Sequence, residues 1–376
     1  MCDMKIAMIG ISETEMGSGQ QKPHGNDFEL WEMNEALSQV CGGNCIVPIQ
    51  ESVEKSKYSD IEYFLFPDFF RRPVVWMETY KAIFQLRKER NVKLIYVMQE
   101  PESVIPVHSK SKYTFILKYF DYILTYNDEL VDCKRVFKLP IPYNFSVSCR
   151  DLHIAFADKK LLTNISGWHT SSGKHELYSE RERVIRYFED NHAEQFDFYG
   201  FKWDKSGHKW KNYKGLADNK YEIYQRYKFA MCLENTYGTR GYITEKIMDC
   251  FKAGIVPIYK GAPDIQKYIP DSTYISYDRF HSVEELYQFL STMSYEAYEG
   301  YRNEIALFMN SARTRYFTIE HWAEALLAAC GKMEEMRRLY GIGSLQRWYT
   351  FHMKVYPKIR SCMGRICKTF KVREHN

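Results

Sequence analysis

Residues 227–263 read YKFAMCLENTYGTRGYITEKIMDCFKAGIVPIYKGAP, which parses as strand, glycine-punctuated loop, helix, turn and strand. Phe229 to Leu233 is a short apolar run suited to a buried strand. Asn235, Gly238 and Gly241 interrupt it, and Thr244 is placed to cap a new helix. Ile247, Cys250, Phe251 and Gly254 follow at helical spacing, with Gly254 where a helix would end. Ile255 to Tyr259 forms the next strand, and Gly261-Ala262-Pro263 turns the chain away. Glu245 and Lys246 fall in the helix's first turn. Free backbone N–H groups and the positive end of the helix dipole suit that end to an anion such as a phosphate. Lys246 adds a full positive charge, and Glu245 can accept hydrogen bonds from sugar hydroxyls. A cation beside a hydroxyl acceptor suggests a nucleotide diphosphate with its ribose. An ordinary βαβ unit carrying a solvated Glu-Lys pair is the plainer alternative.

The rest of the chain bounds the reading. Its 376 residues suffice for two domains, each with its own core. An apolar fraction of 45% and a charged fraction of 27% are those of a folded soluble protein. No run of 18 apolar residues predicts a transmembrane helix. The opening MCDMKIAMIGISETEMGSG reads as a first strand rather than a signal peptide, so a cytoplasmic chain is expected. Ten cysteines occur without a CxxC pair, and no zinc spacing is present, so reduced, structural thiols are expected. The net charge is +4. Residues 331–376 hold eleven Lys or Arg against three Glu, a net +8, which leaves −4 on residues 1–330.

Strands and helices alternate on both sides of a proline-rich linker. Ile61 to Phe66, Lys93 to Met98 and Tyr122 to Thr125 read as strands. Trp76 to Arg90 reads as a helix with Lys81, Arg87, Lys88 and Arg90 on its outer face. Leu139-Pro-Ile-Pro-Tyr143 is extended, because each proline disfavours helix in its predecessor. A second alternation begins near Lys160: strand 161–166, helix 176–191, strand 196–199, helix 221–227 and, after the quoted stretch, helix 283–290. This rhythm argues for α/β units with parallel sheets, whose ligands bind at the C-terminal strand ends. Three divisions are expected: an acceptor-side Rossmann-like domain over 1–155, a nucleotide-sugar domain over 156–330, and a basic tail over 331–376. In the tail, Leu345, Trp348, Tyr349, His352 and Tyr356 share one helical face, and Ile359, Met363, Ile366 and Phe370 another, among basic residues. Such a helix suits an anionic membrane surface, or else packs on the protein or stays disordered. Nucleic acid is disfavoured by the acidic body.

The run LENTYGTRGYITEKIMDCFKAGIVPIYKG resembles the signature of the α1,3/4-fucosyltransferases, glycosyltransferase family 10. That signature has an F/L-E-N-S/T element, then Y-I/V-T-E-K, a helix, and a V/I-P-I/V strand ending in Gly. The resemblance is strongest in the C-terminal half, weaker before it, and leaves the last 46 residues uncovered. It implies a GT-B architecture, two Rossmann-like domains facing each other across a cleft. It further implies inverting transfer of L-fucose from GDP-fucose to a glycan hydroxyl. An α1,3 link to N-acetylglucosamine or glucose of a lipopolysaccharide or surface polysaccharide is favoured, with α1,4 and α1,2 left open. Animal members carry an N-terminal membrane anchor, so this chain is expected to be bacterial, at the inner face of the cytoplasmic membrane.

Inversion needs a general base and positive charge or N–H donors for the departing diphosphate. If Lys and Arg supply that charge, no cofactor is required and a divalent metal is at most stimulatory; no isolated DxD triplet occurs in the nucleotide-binding half. Aligning the Lys93–Met98 strand with the family places Glu100 on the base, and Glu102-Ser103 mimics the family's Glu-Ser-Pro closely enough to keep Glu102 as the alternative. Lys246 is the first phosphate ligand and Arg181 the second, with Arg183 and Arg186 as substitutes. Glu245 matches the family's ribose ligand, and Asn235 and Tyr242 match positions lining the donor pocket. Trp31, Tyr113, Trp168 and His169 lie in loops open to an acceptor. The rivals are the same fold with another nucleotide sugar, and a non-catalytic, membrane-associated sugar-binding protein.

Overall fold

The computed structural model describes residues 6–9, 36, 39, 46–49 and 61–340, apart from 72, 88 and 147. Trp31 and the amphipathic stripes beyond residue 340 lie outside the described residues. Two wholly parallel sheets carry the fold. The first has the order β2-β1-β3-β4-β5-β6, built from β1 (Ile6–Ile9), β2 (Ile46–Ile49), β3 (Tyr63–Pro67), β4 (Lys93–Met98), β5 (Tyr122–Thr125) and β6 (Val136–Lys138). The second has the order β11-β10-β9-β7-β8, from β7 (Lys160–Ile165), β8 (Phe196–Tyr199), β9 (Tyr227–Leu233), β10 (Val256–Lys260) and β11 (Ile275–Ser276).

The period of two explains how the first sheet is covered on both faces. Phe64 and Phe66 of β3 and Leu94, Tyr96 and Met98 of β4 point to one side, against Tyr80, Ile83 and Phe84 of α1 (Pro73–Leu86). Tyr63, Leu65, Ile95 and Val97 point to the other, against Trp322, Ala323, Leu326, Cys330 and Met333. These five are one stripe of a 22-residue helix spanning Ile319–Tyr340. That helix begins inside the segment assigned to the second domain, runs past residue 331, and packs on the first sheet. The chain returns through the linker, where Tyr143 donates its N–H to Phe317 O at 2.7 Å. By packing, residues 319–333 therefore belong with the first sheet, because their apolar stripe finds its partners there.

The second sheet is flanked by α2 (Tyr178–Asn191), α3 (Lys220–Tyr224), α4 (Glu245–Ala253), α5 (Val283–Ser291) and α6 (Tyr295–Met309), which makes the long helix α7. Two expectations shift. The helix expected over 221–227 stops at Tyr224, and Tyr227 already pairs with Lys160 in the sheet. The helix expected to reach Arg90 stops at Leu86. Arg87 is turned inward rather than outward: its guanidinium pairs with Asp121, and its Nε–H donates to Val92 O. Among the described residues, no helix is long and apolar enough to cross a membrane.

Candidate active site

The C-terminal ends of β4 and β9 meet across the two sheets. Ser103, beyond β4, donates its hydroxyl to Asn235 O at 3.3 Å, and Ser171 donates to Ser103 O at 2.9 Å. Tyr242 and Tyr126 pack ring to ring, 4.8 Å apart, although they belong to different units. Gly241 lies at φ 73°, and a Cβ there would stand 2.5 Å from Tyr126 O. Only glycine permits this approach.

On the side of the second sheet, β9 runs into a fully buried carboxylate. Glu234 accepts the N–H of Thr244 at 2.8 Å, the Thr244 hydroxyl at 2.7 Å and the Lys246 ammonium at 3.1 Å. Thr244 caps α4 in an extended conformation, and Gly254 ends it at φ 70°, as the spacing predicts. A buried carboxylate must find a cation and hydrogen-bond donors. Glu234 finds all three in the first turn of α4, and so fixes where Lys246 points. Burial pushes the Lys246 ammonium down, but the Glu234 and Glu245 carboxylates outweigh it and hold it above the ordinary range. Burial pushes Glu245 up, but Lys246 and the N–H of its own residue outweigh it and hold the carboxyl below the usual range.

Arg181 rises from α2 into the same place. Its Nη2 donates to Leu233 O at 2.6 Å, Glu234 O at 2.7 Å and Asn235 Oδ1 at 3.1 Å. Among the described residues, its Nε and Nη1 have no hydrogen-bond partner. Tyr178, Arg181, Val184, Ile185 and Phe188 share the buried stripe of α2. Arg183 and Arg186 leave from the other side: the first pairs with Glu180, and the second pairs with Glu182 while lying over the Trp210 ring. Helical geometry thus brings Arg181 to Lys246 and keeps its two substitutes away.

On the opposite side, Glu100 follows β4 with its carboxylate 2.9 Å from the Arg71 guanidinium. Its backbone is gripped at both ends. The N–H reaches Asp68 Oδ2 at 3.1 Å, and the carbonyl accepts from His108 Nδ1 at 2.6 Å and from the Tyr126 hydroxyl at 3.2 Å. His108 Nε2 in turn faces the Tyr96 hydroxyl at 2.5 Å. Burial pushes Asp68 up to about 7, with the Glu100 charge adding to it, and pushes His108 down to about 4. Glu102 is half-buried and has no hydrogen bond or ion pair among the described residues. His169 lies between the two sides, its ring against Tyr178 and Phe201. Burial and then the charges of Lys202, Arg181 and Arg71 push it down to about 4, so cations from both units converge there. Trp168 donates its indole N–H to Glu182 at 3.3 Å, and Tyr113 starts a turn over residues 113–118 packed on the first core.

Asp68, Arg71, His108 and Glu234 were not singled out by the sequence for these places. The signal for Asp68 was an acid at the C-terminal end of a parallel strand; for Glu234 it was an acid directly after a buried strand. Of the five residues that the sequence assigns to a donor pocket, Arg181, Asn235, Glu245 and Lys246 are brought together. Tyr242 is buried against the first unit, between the charges of Glu234, Glu100 and Glu245. Among the described residues, no cluster of His, Cys, Asp or Glu is arranged to hold a metal ion.

Two parallel α/β units joined by a linker and a returning helix, with charged groups at facing strand ends, define a glycosyltransferase of GT-B architecture. The same architecture is found in the solved structure of a sucrose-phosphate synthase from Thermosynechococcus elongatus. It aligns at 11% identity over 90% of this chain and 100% of that one, with a TM-score of 0.52. Residues 156–348 match the family described as glycosyltransferase family 10 (fucosyltransferase), C-terminal part, and the chain belongs to that family. It is 36% identical over 72 residues to an α-(1,3)-fucosyltransferase of Helicobacter pylori, covering 19% of this chain and 15% of the relative. It is 24% identical over 254 residues to 4-galactosyl-N-acetylglucosaminide 3-alpha-L-fucosyltransferase 9 of Rattus norvegicus, covering 65% of this chain and 61% of the relative. The chain thus spans less than two thirds of the length of either relative.

Proposed function

We propose that this protein transfers L-fucose from GDP-fucose to a hydroxyl of an oligosaccharide or glycolipid acceptor, with inversion at the anomeric carbon. The observation that carries the reading is the opposition of Glu100 to the Arg181–Lys246 pair across the Ser103–Asn235 joint. In a single displacement, the Glu100 carboxylate takes the proton of the acceptor hydroxyl. The oxygen forms its bond to C1 of fucose as the bond from C1 to the phosphate oxygen breaks, and GDP leaves with the electron pair. The unpartnered edge of Arg181 and the ammonium of Lys246 meet the charge that grows on the diphosphate. Glu245, half-exposed at the first turn of α4, accepts from the ribose hydroxyls, while Asn235 and Tyr242 bound the donor pocket. Because protein cations meet the phosphate charge, the reading asks for no metal.

The acceptor favoured is N-acetylglucosamine or glucose of a lipopolysaccharide or surface polysaccharide, linked α1,3. The basic tail would hold the enzyme to the inner face of a bacterial cytoplasmic membrane. The test is calorimetric titration of the full chain with GDP, UDP and ADP without added metal, followed by transfer from GDP-fucose to N-acetyllactosamine. Selective binding of GDP is expected. Glu100→Gln should reduce transfer to a small residual rate and leave GDP affinity nearly unchanged. A preference for UDP would sink the donor assignment, and retained turnover in Glu100→Gln would sink the base.

A further inference from the structure

Loop residues just past a parallel strand usually owe their backbone hydrogen bonds to water. Glu100 does not. We infer that Asp68 is a positioning residue for Glu100, acting through the two peptides that precede it without touching the substrate; this rests on the reading of Glu100 as the base.

Asp68 is the first residue after β3, held in the left-handed region at φ 41°. A non-glycine residue there is uncommon and persists where surrounding bonds impose it. The bonds are identifiable. The Asp68 N–H donates to Val97 O at 2.9 Å, which ties the turn to β4. The carboxylate then bends over the end of β4: Oδ1 accepts the Gln99 N–H at 3.0 Å, and Oδ2 accepts the Glu100 N–H at 3.1 Å. The Asp68 carbonyl accepts the Arg71 N–H at 2.8 Å, starting the turn that delivers the Arg71 guanidinium to Glu100. One residue therefore sets the backbone of Glu100 and that of its counter-charge. His108 and Tyr126 close the clamp on the carbonyl side. His108 Nε2 lies 3.9 Å from Asp68 Oδ1, so the two halves of the clamp also face each other. The Glu100 side chain carries none of these backbone bonds; its carboxylate pairs instead with Arg71.

A carboxylate that only braced a loop would weaken folding and leave chemistry alone. A carboxylate that aims a base acts on turnover, and only while the base is present. The experiment is a cycle of Asp68→Ala, Glu100→Gln and the double variant in the full chain, assayed with GDP-fucose and N-acetyllactosamine. Asp68→Ala should lower kcat by about 100-fold, the scale of a misplaced reacting group, with KM for GDP-fucose and the GDP Kd within about twofold. Asp68→Asn keeps one acceptor oxygen, so its kcat should fall between the two; it also serves if the alanine variant does not fold. Added to Glu100→Gln, Asp68→Ala should change the residual rate less than about twofold. An equal loss in both backgrounds, or an unchanged kcat, overturns the inference. Amide hydrogen exchange is read on the same proteins. Exchange over residues 98–105 should quicken in Asp68→Asn while residues 233–260 stay unchanged; unaltered exchange over 98–105 overturns the clamp. If the wild-type chain does not use GDP-fucose, the donor reading fails, and the exchange result still decides whether Asp68 holds Glu100.

Discussion

Replacing Lys246 tests the proposed donor site, because the structure gives that lysine one duty and the proposed function a second. Its ammonium is the cation of the buried Glu234, and it also stands at the N-terminus of α4, where a diphosphate would sit. Lys246→Met removes the charge and keeps most of the stem. Glu234, fully buried, then keeps the two donors of Thr244 and the charge of Arg181 nearby, but loses the ammonium paired with its carboxylate. Breaking a buried pair from one side costs about 3–5 kcal/mol. With the Lys246 side chain 22% exposed, water reaches the pair, and the lower end, about 3 kcal/mol, is expected. Urea unfolding at neutral pH should show that loss. Lys246→Met with Glu234→Gln removes both charges and should recover to within about 1 kcal/mol of wild type. GDP affinity should fall by about 1–3 kcal/mol in both the single and the double variant, since both lack the ammonium. The reasoning is refuted if the single variant is as stable as wild type, or if the double variant regains GDP affinity along with stability.

Other consequences follow from neighbouring residues. Arg181→Lys should lower both stability and GDP affinity, by about 1–3 kcal/mol each, because an ammonium cannot span Leu233 O, Glu234 O and Asn235 Oδ1 and still present a free edge. Calorimetry and denaturation on the same variant check this. Gly241→Ala places a Cβ against Tyr126 O and should destabilise more than Gly238→Ala. Both glycines have positive φ, but nothing stands within 4 Å of a Cβ at Gly238; equal losses in thermal unfolding would contradict the close approach. Asp249 is pushed up to about 7 by burial first, against the pull of Lys220 and with the Glu245 charge adding to the rise. Its folded value lies above its ordinary 3.8, so its contribution is fully present below about 4 and is lost as the pH rises through about 7. The stability of Asp249→Asn relative to wild type should therefore rise with pH over that window. A pH-independent difference would rule this out.

What could be read from the sequence was what repeats locally. The strand-loop-helix-strand of residues 227–263, the Thr244 cap, the Gly254 stop and the β4 strand all follow from periodicity and terminal chemistry within some ten residues. Arg181 was legible only through the family resemblance; that it lies on the buried stripe of α2, and its two substitutes do not, is a finding of the structure. The family signature marked Asn235, Glu245 and Lys246 because those residues are contiguous with the elements that hold them. Tertiary structure decided what depends on partners far along the chain. α7 covers the first sheet because its stripe of Trp322, Leu326 and Met333 finds complementary side chains more than 180 residues upstream. Arg87 turns inward because Asp121 waits there. Glu234 orders the first turn of α4 because it is buried with the Lys246 ammonium in reach, and burial is a property of the assembled molecule. Asp68 reaches Glu100 because parallel pairing sets the end of β3 beside the end of β4, a contact that no spacing within one segment encodes.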